Sequence, residues 1–420
     1  MTSSRPAPPI ARLGLIGLAW LSIAGAAIYD FGLYVQNILA YPYNVGVSEW
    51  WGSELAIRYC AGFVRRGLLG QTSWLLTQLV DQQSAYVAAL AALMAASVLV
   101  LGFIFYRSLR IKLALLPSLL ILSAPTAMPV MLTHAGSLFR KDAFQLCLFA
   151  LILFLVHHFD VASSARRKTF LYGLAAVVQV AAVFNHEPFA LLITPALFLA
   201  RLLSRKGYLK SFLLVMPSVA AFLLAVLNKG RLEDVNCLQA SLRSVQLLPL
   251  NARPGSSITE LALTKPSFFT WDLSLGQLGW SLLHGFLAVC ITWACYVLIL
   301  RQISHRVLPS RKAGSFLFSQ ILIALPLFMA TIDYGRWFAM LACAGMLSLL
   351  SIPKNEVASA QQISLADLEK FGMANHWPLV ILAVAALVVI PSHCCTYQSS
   401  HIFASVSYAG LSIWKHILLS

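Results

Sequence analysis

The stretch from Asp142 to Phe159 reads DAFQLCLFALILFLVHHF. Leu146 to Val156 are apolar without interruption, and a charged Arg140-Lys141-Asp142 group stands at the start of the run. A barrel strand would alternate lipid-facing and lumen-facing side chains, and this run does not alternate. A surface helix of a soluble domain would carry a polar stripe. What remains is a helix that meets hydrocarbon on most of its surface, close to the roughly 20 residues needed to cross it.

The same pattern recurs along the chain. Apolar residues make up 59% and charged residues 11% of the 420, with a mean hydropathy of +0.79. That leaves too little polar surface for a soluble domain. Apolar runs fall at 10–29, 85–106, 113–134, 142–159, 169–184, 188–203, 211–228, 279–300, 314–332, 337–352 and 377–392. The expectation is an all-α, polytopic transmembrane helical bundle of about eleven spans, read as one integral membrane domain over residues 1–420. Residues 402–419 are amphipathic and form either a surface helix or a twelfth span.

Charge sets the orientation. With the N-terminus in the cytoplasm, 18 of the 30 basic residues fall in inner loops but only four of the 15 acidic ones (Asp160, Glu356, Asp367 and Glu369). Short loops rich in Lys and Arg stay inside. The +15 net charge is thus a topology signal and an anionic-lipid contact, not a nucleic-acid signature. The segment Leu13 to Ala27 resembles a signal peptide in its small-residue end, but is read as an uncleaved first span.

Three segments depart from span and turn. Residues 30–84 form an outer, membrane-hugging stretch with Trp50, Trp51 and Trp74, within which Ser73 to Leu79 is expected as an interfacial helix. Residues 229–278 make a long outer loop. Residues 353–376 form a cytoplasmic loop in which Ser364 to Lys370 suits a capped helix. Of eight cysteines, Cys147, Cys290, Cys295 and Cys343 lie within spans as small apolar packing residues. Cys60, Cys237, Cys394 and Cys395 lie outside, where a Cys60 to Cys237 bridge is one of several pairings.

Charged residues that leave the inner flanks gather at the outer ends of the spans. Arg58, Arg65 and Arg66 lie in RYCAGFVRRGLLG, where glycines permit close backbone approach and forked guanidinium donors match phosphate oxygens. The alternative is that Arg65 and Arg66 snorkel to headgroups. Arg140 and Lys141 precede a helix start whose dipole disfavours cations, so an anion between them is expected; Asp142 suits the cap of that helix. Asn185-His186-Glu187-Pro188 joins two short, proline-bounded segments, the pattern of a hairpin dipping below the outer surface. His186 beside Glu187 is a general-base candidate near neutral pH, or else a polar turn before a helix-starting proline. Asp333 and Arg336 stand three apart and can pair on a helix face, orienting substrate or simply forming a salt bridge.

Topology and outer-face chemistry together resemble bacterial polytopic glycan polymerases and ligases of the Wzy type, which join polyprenyl-diphosphate-linked sugar repeats on the periplasmic side. The layout is also similar to GT-C glycosyltransferases, which use lipid-phosphate sugars. The large outer loop follows the seventh span, whereas such polymerases often carry it later. The resemblance implies cell-envelope polysaccharide biosynthesis at the bacterial inner membrane, with a lipid-linked glycan as substrate, membrane lipids and other assembly proteins as partners, and no nucleic acid. It casts Arg58, Arg65, Arg66, Arg140, Lys141 and Arg336 as diphosphate or substrate binders, and His186, Glu187 and Asp333 as catalytic groups. The polymerase reading needs no cofactor and no metal. The GT-C alternative takes a divalent metal, with Asp30 or Glu49 as the acid. A third class is a transporter or flippase for an anionic lipid or solute, which calls for polar residues deep in several spans; Gln145, Gln179 and His284 are the main ones.

Overall fold

Capping, proline and small-residue signals divide the apolar sequence into helices in the computed structural model, eight of which can be given bounds among the described residues. The described residues are 57–60, 67–80, 141–227 without 205, 309–330 and 334–352, with Gly32 and parts of 84–103, 233–240 and 286–300. The helices are α1 (Gly67–Leu76), α2 (Lys141–Val161), α3 (Ala165–Asn185), α4 (Phe189–Leu192), α5 (Thr194–Leu203), α6 (Tyr208–Leu227), α7 (Pro309–Ala330) and α8 (Tyr334–Leu350). No strand occurs among the described residues.

Among the described residues, three helical stretches are long and apolar enough to cross a bilayer: Phe144–Val161, Ala165–Asn185 and Tyr208–Leu227. Two more, Phe189–Leu203 and Trp337–Leu350, are apolar but shorter. The runs at 142–159, 169–184, 211–228, 314–332 and 337–352 thus correspond to α2, α3, α6, α7 and α8. Those at 85–106 and 279–300 are helical wherever described, and those at 10–29, 113–134 and 377–392 lie outside the described residues. So do the loop at 353–376, the stretch 402–419, Cys394 and Cys395.

Two expectations change. The run at 188–203 is not one helix but α4 and α5, broken at Ile193. Pro195 lacks the N–H that would bond back to Leu191, so the ladder restarts at Thr194, whose hydroxyl bonds to the Phe189 carbonyl. The surface helix begins at Gly67 rather than Ser73 and ends at Leu76. Thr72 and Ser73 turn their hydroxyls onto the Leu69 carbonyl, which fits them inside a helix, and the chain turns at Thr77.

α2 and α3 form a hairpin, with Ser164 as the N-cap of α3 accepting from the Arg167 N–H at 3.2 Å. α3 and α6 pack side by side, and α5 fits against α6 and α8. α6 contains Pro217, which removes the N–H that would serve the Leu213 carbonyl. In hydrocarbon that carbonyl needs a partner, and Tyr172 supplies its hydroxyl at 3.1 Å. Gln179 reaches the neighbouring Leu214 carbonyl at 3.0 Å, and Thr194 meets Ser218 at 2.7 Å. The proline-containing turn of α6 is thus stitched to α3 and α5. The loop between α5 and α6 turns through Gly207, whose φ of 83° is left-handed.

α8 lies at the centre: from Ala339 to Leu350 every residue is buried. The outer flanks of α2, α3 and α6 expose Phe154, Phe170, Val177, Leu209, Leu223 and Leu227. Large apolar side chains in such number suit lipid rather than water. Inside, Tyr296 is fully buried and donates to the Ala342 carbonyl and to Gln320, which donates to the Leu341 carbonyl. Gly345 makes room for that ring: a Cβ there would overlap the Tyr296 hydroxyl and ring carbon. Gly345→Ala is therefore expected to destabilise by about 1–3 kcal/mol although alanine favours helix. Thermal unfolding in detergent checks it; Tyr296→Leu should recover part of the loss, and an unchanged Tm in Gly345→Ala would refute the close fit.

Candidate functional site

The directions of the helices sort the charged residues into two groups. α2 starts where α3 ends and ends where α3 starts. Asp142 therefore meets His186 at one end, and Asp160 meets Arg201 at the other, about 27 Å away along α2.

At the first end, Lys141 and Asp142 come from the opening turn of α2 and Gln145 from the next, with Asp142 and Gln145 on one face. Asn185, His186 and Glu187 come from the end of α3 and the turn after it. The last helical carbonyl that holds this turn is Ala182: it accepts the His186 N–H at 3.0 Å and the Gln145 side-chain N–H at 3.1 Å. His186 itself is extended, and Pro188 restarts the chain as α4. Of the stretches flanking the turn, α3 is longer than the run at 169–184 suggested, 21 residues and enough to cross a bilayer, and only the one after the turn is short. Phe189–Leu203 covers about 22 Å against a hydrocarbon thickness of about 30 Å. The turn is buried within the protein: Asp142, Asn185 and His186 are each only 1% exposed, as is Lys141.

The His186 ring stands between two carboxylates. Its Nε2 lies 3.7 Å from Asp142 Oδ1 and its Nδ1 lies 3.7 Å from Glu187 Oε2. These separations exceed a hydrogen bond but lie within strong Coulombic reach in a poorly solvated site. Glu187 alone of the three reaches an edge, with 11% of its side chain exposed. The order of access is thus Glu187, His186, Asp142. Asp142 is in the first turn rather than at the N-cap, and its carboxylate faces the histidine.

No cluster of three or more His, Cys, Asp and Glu suited to a metal occurs among the described residues. The geometry explains why this trio is not one: the two carboxylates take opposite ring nitrogens rather than converging on a common point.

The remaining candidates are distributed as follows. Arg58 is half-buried and lies 4.8 Å from the Trp74 ring centroid. Burial pushes its guanidinium below the usual arginine range. Its segment is fixed by the Tyr59 N–H bond to Gln71 at 3.2 Å and by a Cys60–Cys237 disulfide. α1 packs on α3. Gly67 and Gly70, read as allowing close backbone approach to a ligand, are buried in α1, where they permit close packing of the helix. Arg336 is in the first turn of α8. Arg65, Arg66, Arg140, Asp333, Asp30 and Glu49 lie outside the described residues.

One ion pair was not assigned from sequence, and two amides named there in other roles join the site. Arg201 forks onto Asp160 at 3.0 and 3.3 Å, with Lys206 at 3.9 Å, closing the opposite end of the α2, α3 and α5 group. Asn185 and Gln145 accompany the His186 cluster as buried amides. The polar character of Gln145 inside an apolar run was a visible signal; the Asp160–Arg201 partnership, 41 residues apart, was not. No protein-family model, curated protein or solved structure matches the chain.

Proposed function

We propose that the protein is a multi-pass enzyme of the bacterial inner membrane that transfers glycosyl units from a polyprenyl-diphosphate-linked glycan on the periplasmic face, in cell-envelope polysaccharide assembly. About eleven spans with a cytoplasmic N-terminus go with this reading. The observation that carries it is the buried Asp142–His186–Glu187 group with Lys141 beside it in sequence, two carboxylates, an imidazole and a cation at one end of the α2–α3 hairpin. Orientation draws support from the opposite end, where Arg166, Arg167, Lys168, Arg201, Lys206 and Lys210 gather. The Cys60–Cys237 bridge supports an oxidising compartment for the segments after the first span and after α6.

In this reaction Glu187 removes the proton of an acceptor sugar hydroxyl. The oxygen attacks the anomeric carbon, whose bond to the diphosphate oxygen breaks, and polyprenyl diphosphate leaves. Lys141, Arg58, Arg65, Arg66, Arg140 and Arg336 are the cations available to steady its charge. Asp333 is held as a second carboxylate for orienting the acceptor. The Arg65→Ala/Arg66→Ala double variant is expected to insert normally and yield markedly shorter surface glycans, read by gel electrophoresis. Wild-type chain length in that variant would remove the arginines from the donor pocket.

A second reading, proton-coupled transport of an anionic lipid or solute, is favoured by the burial of His186 between two carboxylates, an arrangement that proton relays in membranes use. It differs in consequence: substrate would cross the membrane unchanged.

A further inference from the structure

Asn185 is 1% exposed, and among the described residues neither its amide oxygen nor its amide nitrogen has a hydrogen-bond partner. Gln145 is fully buried; it commits its N–H to the Ala182 carbonyl and leaves its own oxygen without a partner. A buried amide left unsatisfied is costly, so such groups are rarely kept without a ligand or water to complete them. Their position makes the case specific. Ala182, which Gln145 grips, is one helical turn before Asn185 and His186 on α3, and Gln145 is one turn after Asp142 on α2. The two incomplete amides therefore lie at the level of the histidine and its carboxylates.

The unmet groups comprise two acceptor oxygens and one amino group. A pair of neighbouring sugar hydroxyls complements that set, because each hydroxyl donates once and accepts as well. We propose that Asn185 and Gln145 form a polyol-binding subsite that seats a sugar ring beside Glu187. Neither residue takes part in proton transfer; both determine which hydroxyl is presented to the base. This deepens, and rests on, the reading of the site as one for a glycan.

The test uses the full-length protein in detergent or nanodiscs. Asn185→Leu keeps the branched shape of the side chain, at a larger volume, and removes the unmet amide; Asn185→Ala provides a second variant should leucine not fit. In the absence of ligand, the variant is expected to have a Tm equal to or a few degrees above wild type. Binding is then read by saturation-transfer NMR with two kinds of probe: free monosaccharides differing at single hydroxyls, and sugar-free polyprenyl diphosphate. Wild type should bind at least one sugar, the variant should bind it at least tenfold more weakly, and both should bind polyprenyl diphosphate alike. If both variants melt well below wild type, the amide is satisfied within the protein or by a fixed water, and the subsite is refuted. If wild type and variant bind sugar equally, it is refuted too. If sugar binding depends on Asn185 while polyprenyl diphosphate does not bind at all, the subsite stands and the diphosphate donor falls.

Discussion

Glu187→Gln is expected to insert, fold and bind donor as wild type does, and to lose about 10²- to 10⁴-fold in glycosyl transfer, the range over which a positioned general base acts. The glutamine keeps the volume of the side chain at the edge of the cluster but cannot accept a proton. His186→Gln should reduce the rate less, because Asp142 and Glu187 remain and only the relay between them is lost. The order of these losses follows from access: Glu187 faces outward while His186 is shut in. The readout is initial rate with purified protein, with KM for the lipid-linked donor measured alongside. Loss confined to kcat supports a proton-transfer role. Full activity in Glu187→Gln would move the base elsewhere, with Asp333 the next carboxylate to replace.

The largest loss of stability is expected at the opposite end. Arg201→Met leaves Asp160 without its forked partner, with Lys206 only grazing it at 3.9 Å. Removing one member of a largely buried ion pair costs about 3–5 kcal/mol; a value near 3 is expected because Asp160 retains 18% side-chain exposure and can take up water. Asp160→Asn in the same chain should restore most of it, since the stranded charge disappears. A double-variant cycle of thermal or denaturant midpoints measures the coupling. Losses that simply add would show that Arg201 acts through packing of its stem and not through the carboxylate.

Why some of this could be read from the chain and some could not is a matter of range. The apolar run from Leu146 to Val156 has one stable solution in lipid, and α2 adopts it; the same holds for α3 and α6. Pro188 after a short segment gave the turn at His186–Glu187, because a proline that starts a helix needs no N–H partner. Pro195 was equally visible, yet its effect, the break at Ile193, depends on whether Thr194 finds another acceptor, which is a three-dimensional matter. Gly67 and Gly70 were ambiguous for the same reason: glycine permits a loop and equally permits close helix packing.

The site was legible in part. His186 and Glu187 are neighbours in sequence, so their meeting is local, but Asp142 reaches the ring only because α2 and α3 are antiparallel. Nothing in a single sequence links Gln145 to Ala182, Tyr172 to the carbonyl freed by Pro217, or Gly345 to the Tyr296 ring. Each is a contact between helices, and periodicity reports a helix's faces without naming the partner.

The measurement that bears most directly on the function is a reconstituted assay with purified protein in liposomes and an externally added polyprenyl-diphosphate-linked oligosaccharide, analysed by mass spectrometry. The account expects one equivalent of polyprenyl diphosphate released for each glycosyl unit joined, abolished by Glu187→Gln. Intact donor recovered on the far side of the membrane, with no diphosphate released and uptake driven by a proton gradient, would contradict it and make the chain a transporter.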